Sequence, residues 1–591
     1  MIKELEYPFD SAEVLRKKRA LKKRCLEQRE DWLEIRIAVL CGSTVADICD
    51  ILELFLLNEG IRPQFYQSEF GKYWEDAVFD NPELEHFRPQ VIWIHTSTRN
   101  INSMPDITDS ENHIKDRLKQ EEDKLLKMWE QLEKRYGCPI IQNNFERPLY
   151  RILGNQDIAD ETGGSNFVFR LNDYIYRYKQ SHANFYVHDV DGISACFGLR
   201  SWQEPRYWYL YKYALNINAI PEFSYNLFTI VKSLFGKNKK VLALDADNTL
   251  WGGVLGDCGA ENIELGAETA SGQMYLEWQQ YIRRLKKRGI LLAIVSKNEQ
   301  KSVEEGLEHP SGVLRAKDFA VVRSNWENKD INLQYIAETL NIGLEQIVFI
   351  DDNPAERRLV ETNLPMVSTI NEDKAERFIQ MLDAAGYFES TVLTKEDLKR
   401  NDMYRENEKR SRFQETFLDY DDYLKKLQMK AVIKKFEPLY VSRITQLINK
   451  TNQFNFTMLR STEEEVRRIM LDSSYMTLYG QLSDVFGDNG IVSLMIGEKK
   501  NSILHICLFV MSCRVFKRNM EYAMMDAAVV WCMDNQIEKI KGYYIAGAKN
   551  QILKEKFAEF GFVKQDEDEN GNSTWELEID HYQNKNHVIS L

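Results

Sequence analysis

The stretch Val241-Leu-Ala-Leu-Asp-Ala-Asp-Asn-Thr-Leu-Trp-Gly-Gly253 decides how the middle of this chain is built. Its first four residues are apolar, the pattern of a strand buried on both faces of a parallel sheet. Two carboxylates, Asp245 and Asp247, follow, then Asn248, Thr249 and a Gly-Gly pair. A parallel strand delivers such residues to the carboxyl edge of its sheet, where open α/β folds hold their ligands. Two carboxylates this close repel unless a cation sits between them.

Downstream, the pattern alternates strand and helix. Tyr275 to Lys287 is an amphipathic helix stopped by Gly289. The apolar run Ile290 to Val295 ends in Ser296-Lys297-Asn298, Ala320 to Arg323 reads as a short strand before Lys329, and Gln346 to Ile350 ends in Asp351-Asp352-Asn353-Pro354. Parallel strands bring these ends to one edge. There a carboxylate can attack phosphorus, a second can protonate the leaving oxygen and then activate water, and a hydroxyl and an ammonium can hold the phosphoryl oxygens.

This arrangement resembles the haloacid-dehalogenase (HAD) superfamily. The resemblance implies Asp245 as nucleophile and Asp247 as general acid/base. It implies phosphate contacts from Asn248, Thr249, Ser296, Lys297 and Lys329. It further implies Mg²⁺ held by Asp245, by Asp247 through its backbone carbonyl, and by Asp351 or Asp352. The gaps from Thr249 to Ser296 and from Ser296 to Lys329 are too short for a full cap domain, so the site should be open to a large or tethered substrate. The longer motifs, Asp245 to Gly253 and Phe349-Ile-Asp-Asp-Asn-Pro-Ala-Glu-Arg357, resemble the FkbH-like branch (HAD subfamily IIIC). That likeness implies loading of a glyceryl unit from 1,3-bisphosphoglycerate onto an acyl carrier protein in polyketide biosynthesis.

Before the opening strand, Ile35 to Ser43, Ile61 to Tyr66, Val91 to His95 and Pro139 to Asn144 read as strands separated by helical segments, a parallel α/β domain. It resembles the SGNH-hydrolase fold. The Gly42-Ser43 turn falls where that fold carries its nucleophile, and Asn143 or Asn144 where an oxyanion-hole Asn would lie. An activating base is also required, and His188-Asp-Val-Asp-Gly192 has no His three places after an Asp. The departure implies a catalytically degenerate domain for binding or docking.

After a charged helical stretch, Met429 to Lys434, Tyr475 to Leu482, Gly490 to Gly497 and Ser502 to Cys513 read as strands, with Asp488-Asn-Gly490 as a hairpin turn. A helix from Arg518 to Asn535 and a closing segment, Phe562 to Ile579, complete a GNAT-like outline. Ser512 to Glu521 holds no Gly to cradle a pyrophosphate, so acetyl-CoA is not the expected ligand. Cys513, taken alone, is either a small buried residue or a thiolate stabilised beside Arg514 and a helix start. Ser512-Cys-Arg-Val515 and Lys450-Thr-Asn-Gln-Phe-Asn455 again resemble the FkbH family. The likeness implies Cys513 as the covalent acyl site, with Lys450, Asn452, Gln453, Asn455 and Arg514 at the acyl or carrier site. Lys517 and Asn519 depart from the glycine that the family carries nearby. The expected sequence of events has the Asp245 site clearing a phosphate from a substrate that the third domain holds by sulfur.

The chain has 591 residues and a formal net charge of −14. That length suits several domains, here an SGNH-like domain over 1–235, a capless HAD-like domain over 236–385, a helical linker over 386–425 and a GNAT-like α+β domain over 426–591. The acidic balance argues against a sequence-independent nucleic-acid partner. No apolar run is long enough for a membrane span, and scattered cysteines without a Cys-x-x-Cys pair fit a cytoplasmic, reducing setting. The FkbH-like resemblance implies as partners an acyl carrier protein with its phosphopantetheine arm and a phosphorylated three-carbon acyl donor. The alternative is a Mg²⁺-dependent phosphatase of surface-polysaccharide or secondary metabolism with binding domains on either side.

Overall fold

The computed structural model describes the chain except residues 1, 29–31, 392–397, 399–402, 405, 408, 411, 412, 415, 418, 452, 548 and 549. The described residues form two compact units, 1–234 with 462–464, and 235–461 with 465–591. Among them no helix is long and apolar enough to cross a membrane. Part of the linker expected over 386–425, and Asn452, lie outside the described residues.

In the first unit β1 (Leu33–Cys41), β2 (Ile61–Gln67), β3 (Val91–His95), β4 (Ile140–Asn143) and β5 (Phe185–His188) form a five-stranded sheet in the order β2-β1-β3-β4-β5. Every neighbouring pair is parallel. The order reverses between β1 and β3, and that switch point places Gly42-Ser43 beside the segment after His95.

The second unit carries two sheets. β6 (Val241–Leu244), β7 (Leu291–Ser296), β8 (Val321–Ser324), β9 (Ile347–Ile350) and β10 (Ser368–Thr369) lie in the order β10-β9-β6-β7-β8. β6 is central. Leu244 is level with Ile294 on one side and Ile350 on the other, so the residues after β6 and β9 and at the end of β7 emerge together. Val241, Ala243, Leu291, Ala293 and Phe349 pack on Leu333 and Ile336. Full burial of the Val, Leu, Ile and Phe side chains among them contributes about 1.5–3 kcal/mol each, and it fixes the register that the site depends on.

The third sheet comprises β11 (Lys430–Lys434), β12 (Tyr475–Asp484), β13 (Gly487–Lys500), β14 (Ile503–Met511), β15 (Lys539–Tyr544), β16 (Val563–Glu567) and β17 (Ser573–Glu578), in the order β11-β12-β13-β14-β15-β17-β16. The β12–β13 turn is at Val485-Phe486, not at Asp488-Asn-Gly490, because Asp484 pairs with Gly487. The Asp484 carboxylate accepts the N–H groups of Phe486 and Gly487 and closes that turn. Gly490, at φ 63°, is absorbed within β13 instead. β14 and β15 are parallel and paired only from Ile503 to Ile506. Beyond that point Phe454-Asn455-Phe456 fills the gap, bonded to Phe509 and Met511 on one side and to Ile545 on the other.

Candidate active site

Asp245 directly follows β6, and its N–H donates to Ile350 O at 2.9 Å. Its carboxylate accepts a hydrogen bond from Lys329 Nζ. Lys329 begins the helix Lys329–Thr339, is 2% exposed, donates to Val295 O at 2.7 Å and lies 3.0 Å from Asp351 Oδ2. Oxygens of Asp245, Asp351 and Asp352 lie within 4.8 Å of one another. Three carboxylates around one ammonium leave an excess of negative charge in a closed space. Burial pushes Asp245 up to about 7, with Lys329 opposing and Asp351 reinforcing the shift. Burial, then Asp351, also raises Asp352. For Lys329 burial works against its charge, but Asp245 and Asp351 outweigh it and hold the pKa above the usual lysine value. Three converging carboxylates with one ammonium between two of them keep an excess of negative charge, and such a set of oxygen donors fits a hard divalent cation.

Asp247 stands apart from those three. Its carboxylate accepts from Trp251 Nε1 at 3.1 Å and from Asn298 Nδ2 at 2.9 Å. The same Nδ2 donates to Ser296 Oγ at 3.0 Å, while Ser324 Oγ fixes Asn298 through its carbonyl at 2.7 Å. Asn298 thus ties the second carboxylate to the hydroxyl at the end of β7. Sequence reading passed over it, although its place after Ser296-Lys297 was a signal. Thr249 is buried and its Oγ1 accepts from Asp352 N at 3.3 Å. Arg357, 2% exposed, was also passed over as a site residue; it donates to the carbonyls of Asp351 and Asp352 at 2.6 and 2.9 Å and locks their backbone.

Two expected phosphate contacts are used otherwise. Asn248 has φ 51°, and its Oδ1 accepts from Gly253 N at 3.0 Å, so the side chain closes the turn. Lys297 is paired at 2.6 Å with Glu356, in the first turn of the helix after β9. Between Asp245 and the helix Ala270–Lys287 the chain forms only the short helix Leu255–Cys258 and bridge pairs such as Gly252 with Glu264.

Cys513 starts a single 3₁₀ turn after β14 and is half-buried. It lines a cavity of about 120 Å³ with Lys450, Gln453 and Arg514, and with Lys240, Asn341 and Gln346 from the other sheet of the unit. Asn341 Nδ2 donates to Cys513 O at 2.9 Å. Asn455 is buried, its Oδ1 bonded to Met458 N at 2.9 Å, and it shapes the loop rather than lining this cavity. Lys240 and Gln346 precede β6 and β9, whereas Asp245 and Asp351 follow them. Cys513 therefore faces the amino edge of the sheet whose carboxyl edge carries the acids, a strand length of roughly 16 Å away. A three-carbon unit on Cys513 does not extend that far. The expectation that the acids act on a substrate held at Cys513 is corrected accordingly.

In the first unit Ser43 is 1% exposed, and its Oγ has no hydrogen-bond partner among the described residues. The residue set against the Gly42-Ser43 turn is Asn100, whose Nδ2 donates to Gly42 O at 3.0 Å. No hydrogen bond among the described residues joins Asn143 or Asn144 to that turn. Asn143 accepts from Trp93 Nε1 at 2.9 Å, which fixes its amide orientation, and it bonds Nδ1 of His95 at 2.9 Å and of His188 at 3.0 Å. Burial pulls both imidazoles down to about 3. Asn144 is held by Tyr176, Asp189 and the N–H of Asp191.

Residues 36–232 match the family described as FkbH, N-terminal domain. The N-terminal part of the protein BF1531 from Bacteroides fragilis, described as containing a phosphatase domain complexed with Mg, has 26% identity, covers 64% of this chain and 99% of its own, and superposes with a TM-score of 0.59. The ribosomal-protein-S18-alanine N-acetyltransferase from Escherichia coli has 9% identity, covers 25% of this chain and 94% of its own, with a TM-score of 0.21. A comparison with curated proteins found no match.

Proposed function

We propose that this chain is a phosphoryl-transfer enzyme acting through Asp245, joined to an acyl transferase acting through Cys513. The observation that carries the first half is the convergence of Asp245 and Asp351 on Lys329, with Asp352 beside them, at one sheet edge. The B. fragilis relative, described with a phosphatase domain and Mg, supports the same reading.

An oxygen of Asp245 attacks phosphorus, the bond to the leaving oxygen breaks, and Asp247 gives that oxygen its proton. Asp247 then takes a proton from water. The water oxygen attacks phosphorus, the Asp245–phosphorus bond breaks and phosphate leaves. Asn298 holds Asp247 where both transfers need it, and Lys329 offsets charge on the phosphoryl oxygens. Mg²⁺ held by Asp245, Asp351 and Asp352 would supply further charge compensation.

At Cys513 the thiolate attacks the carbonyl carbon of an acyl phosphate, the carbon–sulfur bond forms and phosphate departs. The 3-phosphoglyceryl unit of 1,3-bisphosphoglycerate is the acyl group proposed; a carrier's phosphopantetheine thiol then takes it from the cysteine, and it becomes glyceryl once the Asp245 site clears its phosphate. Because the two sites open at opposite sheet edges, a loaded carrier arm rather than Cys513 brings the remaining phosphate to Asp245. Incubation with 1,3-bisphosphoglycerate and no carrier tests this. The reading expects a 3-phosphoglyceryl mass increment on the wild type and none on Cys513→Ala; unmodified protein from both overturns the acyl-transfer half. Turnover of unrelated phosphate esters with no adduct would leave a plain phosphatase.

A further inference from the structure

Cys513, Arg514, Phe516, Tyr404 and Asn341 also line a second, larger cavity of about 430 Å³. Its wall carries four cationic residues, Arg410, Arg514, Lys517 and Arg518, and no carboxylate among the described residues. Two of them are deeply set, Arg410 at 2% and Arg518 at 7% exposure. Guanidinium groups buried together repel and lose hydration, a cost that needs compensation.

Among the described residues, compensation for Arg410 and Arg518 lies behind the wall. Asp484 accepts from Arg410 Nε and Nη2 at 2.7 and 2.8 Å and from Arg518 Nη1 at 3.4 Å. Asn407 Oδ1 accepts from Arg410 at 2.9 Å and from Arg518 at 2.7 Å. Glu406 lies 3.7 Å from Arg410. Asp484 also accepts the N–H groups of Phe486 and Gly487. A carboxylate offers about four lone-pair sites, so Asp484 is fully used in holding the arginines and closing its own turn. Burial, with Arg410 adding to it, pulls Arg518 down to about 10.

We propose that this cavity is an anion site for a phosphate ester, holding the phosphorylated end of the molecule whose other end reaches Cys513. Planar guanidinium groups bind phosphate oxygens through paired, charge-assisted hydrogen bonds, and an anion here offsets the repulsion among the four cations. The site is separate from the acidic one at Asp245. Its use rests on the reading of Cys513 as an acyl-accepting thiol. The phosphate could be that of a three-carbon acyl donor or that of a carrier's phosphopantetheine arm, which share this chemistry.

Charge-selective alkylation of the full chain tests the site, with peptide mass spectrometry reporting each cysteine. Cys196, exposed in the first unit, is the internal reference. The ratio of iodoacetate to iodoacetamide rates should be at least about tenfold higher at Cys513 than at Cys196, and millimolar inorganic phosphate should suppress it. Lys517→Gln and Arg514→Gln, at exposed and half-buried positions, should each lower the ratio about threefold without changing Cys196. Protection by 3-phosphoglycerate assigns the donor, and protection by pantetheine 4′-phosphate but not pantetheine assigns the arm. Equal ratios at the two cysteines, with no protection by any phosphate, overturn the site. Shielding by phosphate without a phosphoglyceryl adduct keeps the anion site and removes the acyl-transfer reading; an adduct without shielding does the reverse.

Discussion

The ammonium of Lys329 stands 3.0 Å from Oδ2 of Asp351, in a site that leaves Lys329 2% exposed and Asp351 1% exposed. Removing one partner of such a buried pair leaves the other charge uncompensated, which costs about 3–5 kcal/mol. Lys329→Met should therefore unfold at lower temperature and lose phosphate release by at least about a hundredfold. Mg²⁺ should raise its melting temperature more than the wild type's, since a cation then replaces the lost ammonium. Differential scanning calorimetry with and without Mg²⁺ checks this; equal Mg²⁺ shifts would contradict it.

Asn298→Ala should keep the fold and lose rate. It removes the bonds that orient Asp247 and Ser296, and one such bond contributes on the order of 1 kcal/mol, or roughly tenfold in rate at 1.4 kcal/mol. Phosphate release from a simple ester should fall about tenfold while the Mg²⁺-induced thermal shift stays as in the wild type.

The buried His95–Asn143–His188 cluster makes the first unit acid-sensitive. Both imidazoles titrate near 3 in the folded chain, against about 6.5 when unfolded. Between those values the unfolded state binds protons that the folded state refuses, so stability is lost as pH falls below about 6.5. The slope is up to about 1.4 kcal/mol per pH unit for each histidine. Hydrogen exchange of peptides spanning β3 to β5 should quicken from pH 6.5 to 4.5 after correction for intrinsic rates. His95→Gln/His188→Gln should flatten that dependence.

Cys513→Ala should separate the two chemistries. Its site faces the amino edge of the sheet and the acids face the carboxyl edge, so hydrolysis of a simple phosphate ester should stay within about twofold of wild type while the acyl adduct disappears. A parallel loss of both activities would mean that the edges are functionally one site.

The acid site was legible because strand burial and motif spacing are local. Four apolar residues before Asp245, and again before Asp351, carry the register that brings both acids to Lys329. What sequence spacing does not contain is side-chain commitment. Lys297 looks like a phosphate ligand beside Ser296, but Glu356, from a later helix, takes it. Asn143 looks like an oxyanion donor until Trp93 and two buried histidines claim it. The separation of Cys513 from Asp245 was also hidden, since it depends on which edge of the sheet the Asn341 loop faces, and that follows from packing within the second unit. The cationic cavity draws residues from positions 410 and 514–518, which only tertiary structure brings together.

The central claim is that Asp245 is phosphorylated during turnover. Asp247→Asn should block the water step and let that intermediate accumulate. With Mg²⁺ and acetyl phosphate, the intact mass of Asp247→Asn should rise by one phosphoryl group, and peptide sequencing after borohydride reduction should place the change at residue 245. An Asp247→Asn protein that releases phosphate at the wild-type rate, or that carries its phosphoryl group elsewhere, would contradict the account.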